Sequence, residues 1–156
     1  MSNETVIQQL NRNLPLALAG INQSFLHARI LKNQGLGELG EKFYKRSIVL
    51  MKEADAIIER ILLLHGMPNL QDMGKVASGS NIEGMVACDL DLENRRHMAL
   101  EKAVAVCEQE QDYVSRTLLV GLLDENEEYI DWLETQQELI AEMGLPNYVQ
   151  SAMEHD

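Results

Sequence analysis

The sequence predicts an all-α protein: four long helices in a bundle, one long crossover, and a short fifth helix at the C-terminal end. Three observations carry this reading. Apolar residues recur at helical spacing almost everywhere, and strand-like alternation is absent. Glycine and proline interrupt the chain at only a few places, which leaves periodic segments of about 28 residues, each about 42 Å long at 1.5 Å rise. Finally, "MPNLQDMGKVASGSNIEG" contains roughly 15 residues without periodicity, and a crossover along the length of a bundle is the simplest reason for so long a connection.

The first helix is expected over Glu4 to Asn33, with Gly35 and Gly37 of "NQGLGE" as stop signals. Pro15 lies inside it, removes one backbone donor, and should bend the helix near Asn11 to Pro15 at a cost of about 3 kcal/mol unless packing compensates. The second helix is expected over Leu36 to His65, ended by Gly66 and Pro68. After the crossover, "SGSNIEG" lacks the phosphate-loop pattern and reads as a turn leading to an N-cap. Third and fourth helices follow over Asn81 to Glu110 and Gln111 to Met143, and "GLPNY" introduces the last, Asn147 to Glu154. No repeat or low-complexity tract divides the chain, so residues 1–156 read as one domain.

With 46% apolar and 24% charged residues, the composition suits a folded soluble protein. No apolar run approaches the roughly 20 residues needed to cross a bilayer. "MSNETVIQQL" has no secretory signal pattern, so a cytoplasmic location is expected. The formal net charge of -12 argues against nucleic-acid binding, which needs Lys and Arg at phosphates, and makes cations the more natural cargo. Cys88 and Cys107 match no zinc spacing and read as reduced core residues.

"DENEEYIDW", residues 124 to 132, raises the possibility of a metal site. With Leu122 and Ile130 as core positions, Asn126 and Tyr129 fall on the inner face, whereas Asp124, Glu127, Glu128 and Asp131 spread over other faces. Most of the acidity is expected to be solvated.

Several stretches, "GINQSFLHARILKNQGL", "MKEADAIIERILLLHGMPNLQDMGK", "DLDLE", "QDYVSR" and "YIDWLETQQELIAEMGLPNYVQS", resemble bacterioferritin, and the likeness runs from about residue 5 to residue 151. It implies a ferritin-like bundle, an octahedral cage of twenty-four subunits that stores ferric mineral, and haem b between two-fold-related subunits.

The family's iron-oxidising ligands can be carried over position by position. The first-helix Glu falls on Ala17. The Glu-x-x-His of the second helix falls on Leu50 and Glu53. The third-helix Glu is kept as Glu93, and the second Glu-x-x-His falls on Asn126 and Tyr129. A pair of hard divalent cations needs several anionic oxygens, so a working two-iron centre is not expected. Leu50 shares helical spacing with Ala54, Ile57 and Ile61 and reads as core. Glu53 and Glu93 should still point inward, satisfied by Asn126 and by the Tyr129 hydroxyl in a metal-free cluster, with at least one carboxyl titrating above its ordinary value.

The resemblance also places Met51 as an axial haem ligand, with Leu18, Ile21, Asn22, Phe25, Tyr44 and Ile48 as haem-facing positions. On periodicity alone a methionine on an apolar stripe reads as core filler. His27 reads as a surface or interface residue, His65 as a residue suited to the C-terminal end of the second helix, and His97 and His155 as lacking partners at ligand spacing. The family's auxiliary iron site on the cavity wall falls on Lys45 and Val49, which cannot serve it. The surface that docks a small ferredoxin in related proteins is matched at Met67 to Asp72 but not at Ser80 and Gly84.

Three functional readings follow. The leading one is a haem-binding storage-cage subunit without its own ferroxidase centre, assembled with a catalytic ferritin subunit. The second is an atypical ferroxidase acting alone through a single-iron site of Glu53, Glu93 and Tyr129. The third is a homomeric structural or haem-buffering cage.

Overall fold

The computed structural model describes residues 3–70 and 77–153. Five helices account for nearly all of them: α1 (Asn3–Asn33), α2 (Gly37–Leu63), α3 (Ile82–Gln109), α4 (Tyr113–Met143) and α5 (Leu145–Met153), and no strand occurs among the described residues. None of the described helices is long and apolar enough to cross a membrane. α1 packs mainly on α2, and α3 on α4, with α1 also lying against α3.

The helix ends have local causes. Gly35 takes φ +82°, the left-handed conformation that glycine adopts without cost, and ends α1. Gly37, expected as a second stop, instead begins α2. His65 takes φ 65° just beyond α2, so the turn there uses a histidine rather than the neighbouring Gly66. The Asn81 side chain accepts from the Gly84 N–H at 2.8 Å and caps α3, and Asp112 accepts from the Ser115 N–H at 3.0 Å and caps α4. Gly144, at φ +79°, separates α4 from α5, which starts two residues earlier than expected because Pro146 fits the first turn of a helix. α1 runs through Pro15 as one helix.

The course of the crossover can be read from hydrogen bonds. Asn11 donates to the Met67 carbonyl at 3.1 Å and accepts from the Asn69 N–H at 2.8 Å. Further along α1, Gln23 accepts from the Ala77 N–H, His27 from the Gly79 N–H, and Gln34 donates to the Ser80 carbonyl. The partners advance along the connection in the order that the side chains advance along α1. The described parts of the connection therefore sit at successive levels along α1, and α3 starts at the end where α1 finishes. Gly79 is required on this path, because a Cβ there would stand 2.3 Å from the Gly84 carbonyl carbon and the Met85 nitrogen.

The interior contains two apolar bodies. One is built around Val6, Leu10, Leu14, Ile57, Ile61, Leu100 and Leu119, the other around Leu31, Phe43, Ile82, Met85, Leu133 and Ile140. Each fully buried aliphatic side chain contributes about 1.5–3 kcal/mol relative to exposure. Between these bodies, at mid-height, lies a polar waist that includes buried Arg46, Glu53, Asp89, Glu93, Arg96 and Asn126.

Candidate functional site

The waist is positioned by three helices. α2 supplies Arg46, Leu50 and Glu53, which recur at helical spacing toward the axis; α3 supplies Glu93 and Arg96, one turn apart; and α4 supplies Glu125, Asn126 and Tyr129. Arg96 bridges two carboxylates, donating from Nη1 to Glu93 Oε1 at 2.8 Å and from Nη2 to Glu53 Oε1 at 2.5 Å. Arg46 donates from Nη2 to Glu93 Oε2 at 2.8 Å and from Nη1 to Glu125. The charges thus alternate through the bundle in the order Glu125, Arg46, Glu93, Arg96, Glu53. Both oxygens of Glu93 are held, one by each guanidinium.

All but Glu125 are nearly inaccessible, at 2–5% exposure, so unpaired charge here would be costly. Burial works to raise the Glu93 carboxyl, but Arg96 and Arg46 hold it below its ordinary value. Burial pushes the Glu53 carboxyl up to about 7, against the pull of Arg96 and Arg46. Burial alone would lower Arg46, yet Glu93 and Glu125 leave it raised. An array of three carboxylates and two guanidiniums carries one excess negative charge, and the terminal, buried Glu53 is where a proton can remove it.

Of the sequence-predicted positions, Ala17, Leu50, Glu53, Glu93, Asn126 and Tyr129 are all buried. Leu50 packs into space left by Gly20, where a Cβ would stand 2.7 Å from Leu50 Cδ1. Asn126 donates to Glu93 Oε1 at 2.8 Å and to the Glu93 carbonyl at 3.0 Å, as expected of it. Glu53 stays inside rather than turning to solvent. The expectation for Tyr129 is corrected: its hydroxyl has no hydrogen-bond partner among the described residues, and its ring lies beneath Arg46, 4.1 Å from centroid to guanidinium, and stacks on Trp132. Guanidiniums, which are charged donors, satisfy the carboxylates in its place. Glu125 also pairs inward with Arg46, and the inner stripe of α4 runs through Leu122, Asn126, Tyr129 and Leu133, with Ile130 only half-buried. Arg46 and Arg96 were not anticipated, because arginine at a core register is ordinarily a surface residue.

The histidines also differ from expectation. His27 is fully buried, its Nε2 accepting from the Gly79 N–H at 3.1 Å and its Nδ1 lying 3.2 Å from Asp89 Oδ1. Its Nδ1, Asp89 and the Cys88 thiol lie close enough to suggest a metal group. A neutral imidazole that accepts at Nε2 carries its proton on Nδ1, however, so a metal at Nδ1 would displace that proton and strip Gly79 of its acceptor. The group is a clasp that fixes the crossover to α1 and α3. His97 pairs with two carboxylates, Nε2 2.9 Å from Glu127 and Nδ1 3.3 Å from Glu101, on the outer side of α3 and α4, and belongs to no metal-capable group among the described residues. Cys88 and Cys107 are free, Cys107 buried and Cys88 half-buried. His155, Gln71 and Asp72 lie outside the described residues.

The positions expected to face haem lie on a different surface. Met51, 52% exposed, shares the outer stripe of α1 and α2 with Phe25 and Tyr44, whose rings are 6.5 Å apart, and with exposed Asn22. Leu18 and Ile21 bridge this stripe to the apolar core, and Ile48 is half-buried beside it. The core-filler reading of Met51 does not fit such exposure.

A family model for the ferritin-like domain matches residues 7–143. The chain is 40% identical over 147 residues to the "Bacterial ferritin" of Pseudomonas aeruginosa, covering 94% of this chain and 95% of the relative. It is 41% identical over 153 residues to the "Bacterial ferritin" of a Synechocystis species, covering 95% and 96%, and 37% identical over 139 residues to the "Bacterioferritin" of Mycobacterium leprae, covering 89% and 87%. Long antiparallel helix pairs joined by a crossover along α1, together with near end-to-end similarity to these relatives, place the chain in the ferritin-like family.

Proposed function

We propose that this protein is an iron-storage cage subunit of the bacterioferritin type that binds haem b at a two-fold interface and leaves ferrous oxidation to a catalytic ferritin subunit assembled with it. The observation that carries the reading is the pair of guanidiniums at the waist. Arg96 stands between Glu53 and Glu93, and Arg46 takes the remaining oxygen of Glu93, so the two carboxylates at the family's ligand positions are already engaged by cations. The same observation counts against a lone ferroxidase built on Glu53, Glu93 and Tyr129.

The residues present fit haem. Met51 offers a soft thioether on an exposed apolar stripe, and Phe25, Tyr44, Leu18, Ile21 and Ile48 supply the flat apolar lining that a macrocycle needs. A second copy across a two-fold axis would contribute a second Met51 and cover the exposed rings. When bound, haem supplies a one-electron couple, and two neutral thioethers favour its ferrous form. The protein's own task is to hold the group, exclude water from its faces and keep the partner copy in register. Met67 and Leu70, exposed beyond α2, support a docking surface for a small ferredoxin reductant.

Met51→Leu tests this directly, because it keeps volume and apolarity. The variant assembly should form normally and lose the bis-thioether absorption on haem reconstitution; an unchanged spectrum ends the haem assignment. Native mass spectrometry of the cage from its own cell should show two subunit masses. A single mass favours the homomeric haem-buffering cage instead.

A further inference from the structure

The waist is a buried line of charges in which the central carboxylate, Glu93, is held by one cation at each oxygen, and a further carboxylate terminates the line at either end. That is the order of charges that two cations bridged by a carboxylate would produce. We infer that Arg96 is a built-in cation, standing in the place of a metal between Glu53 and Glu93, so that the native chain is closed to divalent cations and a latent divalent-cation site lies beneath that one side chain. The inference rests on the reading of the chain as non-oxidising and adds to it the cause of the closure.

The donor chemistry agrees. Taking Arg96 away frees Glu53 Oε1 and leaves Glu93 Oε1 with only the Asn126 amide as donor, and two more oxygens at the waist, Glu53 Oε2 and Asn126 Oδ1, are buried without a hydrogen-bond partner among the described residues. Carboxylate and carbonyl oxygens are the ligands hard divalent ions take. The guanidinium also fills the space a cation would need, since its two terminal nitrogens already sit 2.8 Å from Glu93 Oε1 and 2.5 Å from Glu53 Oε1. The fixed charge makes the bundle's stability independent of iron supply, and in a mixed cage it leaves incoming iron to the catalytic subunits.

The test compares full-chain assemblies with and without millimolar cobalt(II), which reports binding by visible absorption and by the shift in Tm. The unaltered protein should show neither cobalt absorption at the waist nor a cobalt-dependent rise in Tm. Arg96→Ala should lower Tm by on the order of 10 °C without metal, because a carboxylate is left unpaired. Cobalt should restore much of that loss. Arg96→Met fills the space without charge and should be destabilised with no cobalt response. Glu53→Gln combined with Arg96→Ala should recover stability without metal and lose the cobalt response. A cobalt-dependent rise in Tm in the unaltered chain overturns the inference, as does a folded Arg96→Ala protein indifferent to cobalt. Failure of Arg96→Ala to fold with or without cobalt, while the double variant folds, also overturns it. A ferrous-oxidation burst from the unaltered chain would instead end the non-oxidising reading.

Discussion

Met51 and Glu53 stand two residues apart on α2 and meet opposite conditions. The thioether is 52% exposed on an apolar stripe, whereas the carboxylate is 5% exposed and held by a guanidinium. About 200 degrees of helical rotation separates them, so one helix presents a soft ligand outward and a hard one inward. The inner carboxylates are already paired with guanidiniums of their own chain. The outer set exposes aromatic and thioether surface that only another body can cover. On the function proposed above, this chain's inside is closed to metal and its remaining capacity for chemistry lies on the outer face of α1 and α2.

The largest effect should come from rebuilding the interior. Ala17→Glu, Leu50→Glu, Glu53→His, Asn126→Glu and Tyr129→His together restore the family's six-ligand pattern around Glu93. With Arg46 and Arg96 retained, the guanidiniums compete for the new carboxylates, and rapid-mixing measurements should show no ferrous-oxidation burst. Adding Arg96→Gly and Arg46→Gln should let the burst appear. A burst in the five-fold variant would mean that the arginines move aside and the interior is not closed.

A smaller effect, without any change of ligands, is expected from Arg46→Met. The variant keeps apolar volume over the Tyr129 ring but leaves Glu93 with one guanidinium instead of two and returns Glu125 to solvent. Breaking one partner of a buried ion pair costs about 3–5 kcal/mol; the surviving Arg96 contact with Glu93 should place this variant at the lower end, measured as a drop in Tm of the assembly. The apolar outer stripe offers the contrast, since Met51→Leu should leave Tm of the haem-free protein nearly unchanged.

Much of the fold was legible because its signals are local. Gly35 and the Gly144 of "GLPNY" mark helix ends through φ preference, Asn81 lies in the stretch read as leading to an N-cap, and the crossover follows from a stretch without periodicity; the Asp112 cap was not anticipated. The stripe Leu50, Ala54, Ile57 and Ile61 is buried as its spacing implied. The waist was not legible, because residue type and residue position gave opposite signals. Arg46 lies four residues before Leu50, and Arg96 lies three after Glu93 and four before Leu100, so both occupy core registers. Composition assigns arginine to the surface; only the simultaneous placement of three carboxylates from α2, α3 and α4 around them makes burial tolerable, and that is a tertiary fact. His27 was misread for the same reason: it follows Gly20 and Gln23 on the inner face of α1, and its partner Gly79 lies 52 residues away.

The smallest expected effect calibrates the others, because it concerns the same charge types where water can reach them. At the start of α4, Asp112 accepts from the Ser115 N–H at 3.0 Å and from its hydroxyl at 2.6 Å, and Arg60 donates to it at 3.1 Å with both partners partly exposed. Burial works to raise this carboxyl, but the Ser115 donors and Arg60 hold it below the ordinary 3.8. A depressed carboxyl contributes stability that is present above its unfolded value and lost as pH falls through its folded value. Asp112→Ala should therefore cost about 1 kcal/mol at neutral pH, mostly as a lost helix cap. The gap between variant and unaltered protein should close as the pH is taken below 3.8. Asp112→Asn keeps a capping oxygen and should recover most of the loss at neutral pH, because solvent already screens the pair with Arg60. Equal costs for Asp112→Ala and Arg46→Met would show that burial adds nothing to the charges at the waist, and the contrast between the closed interior and the open outer face would lose its energetic basis.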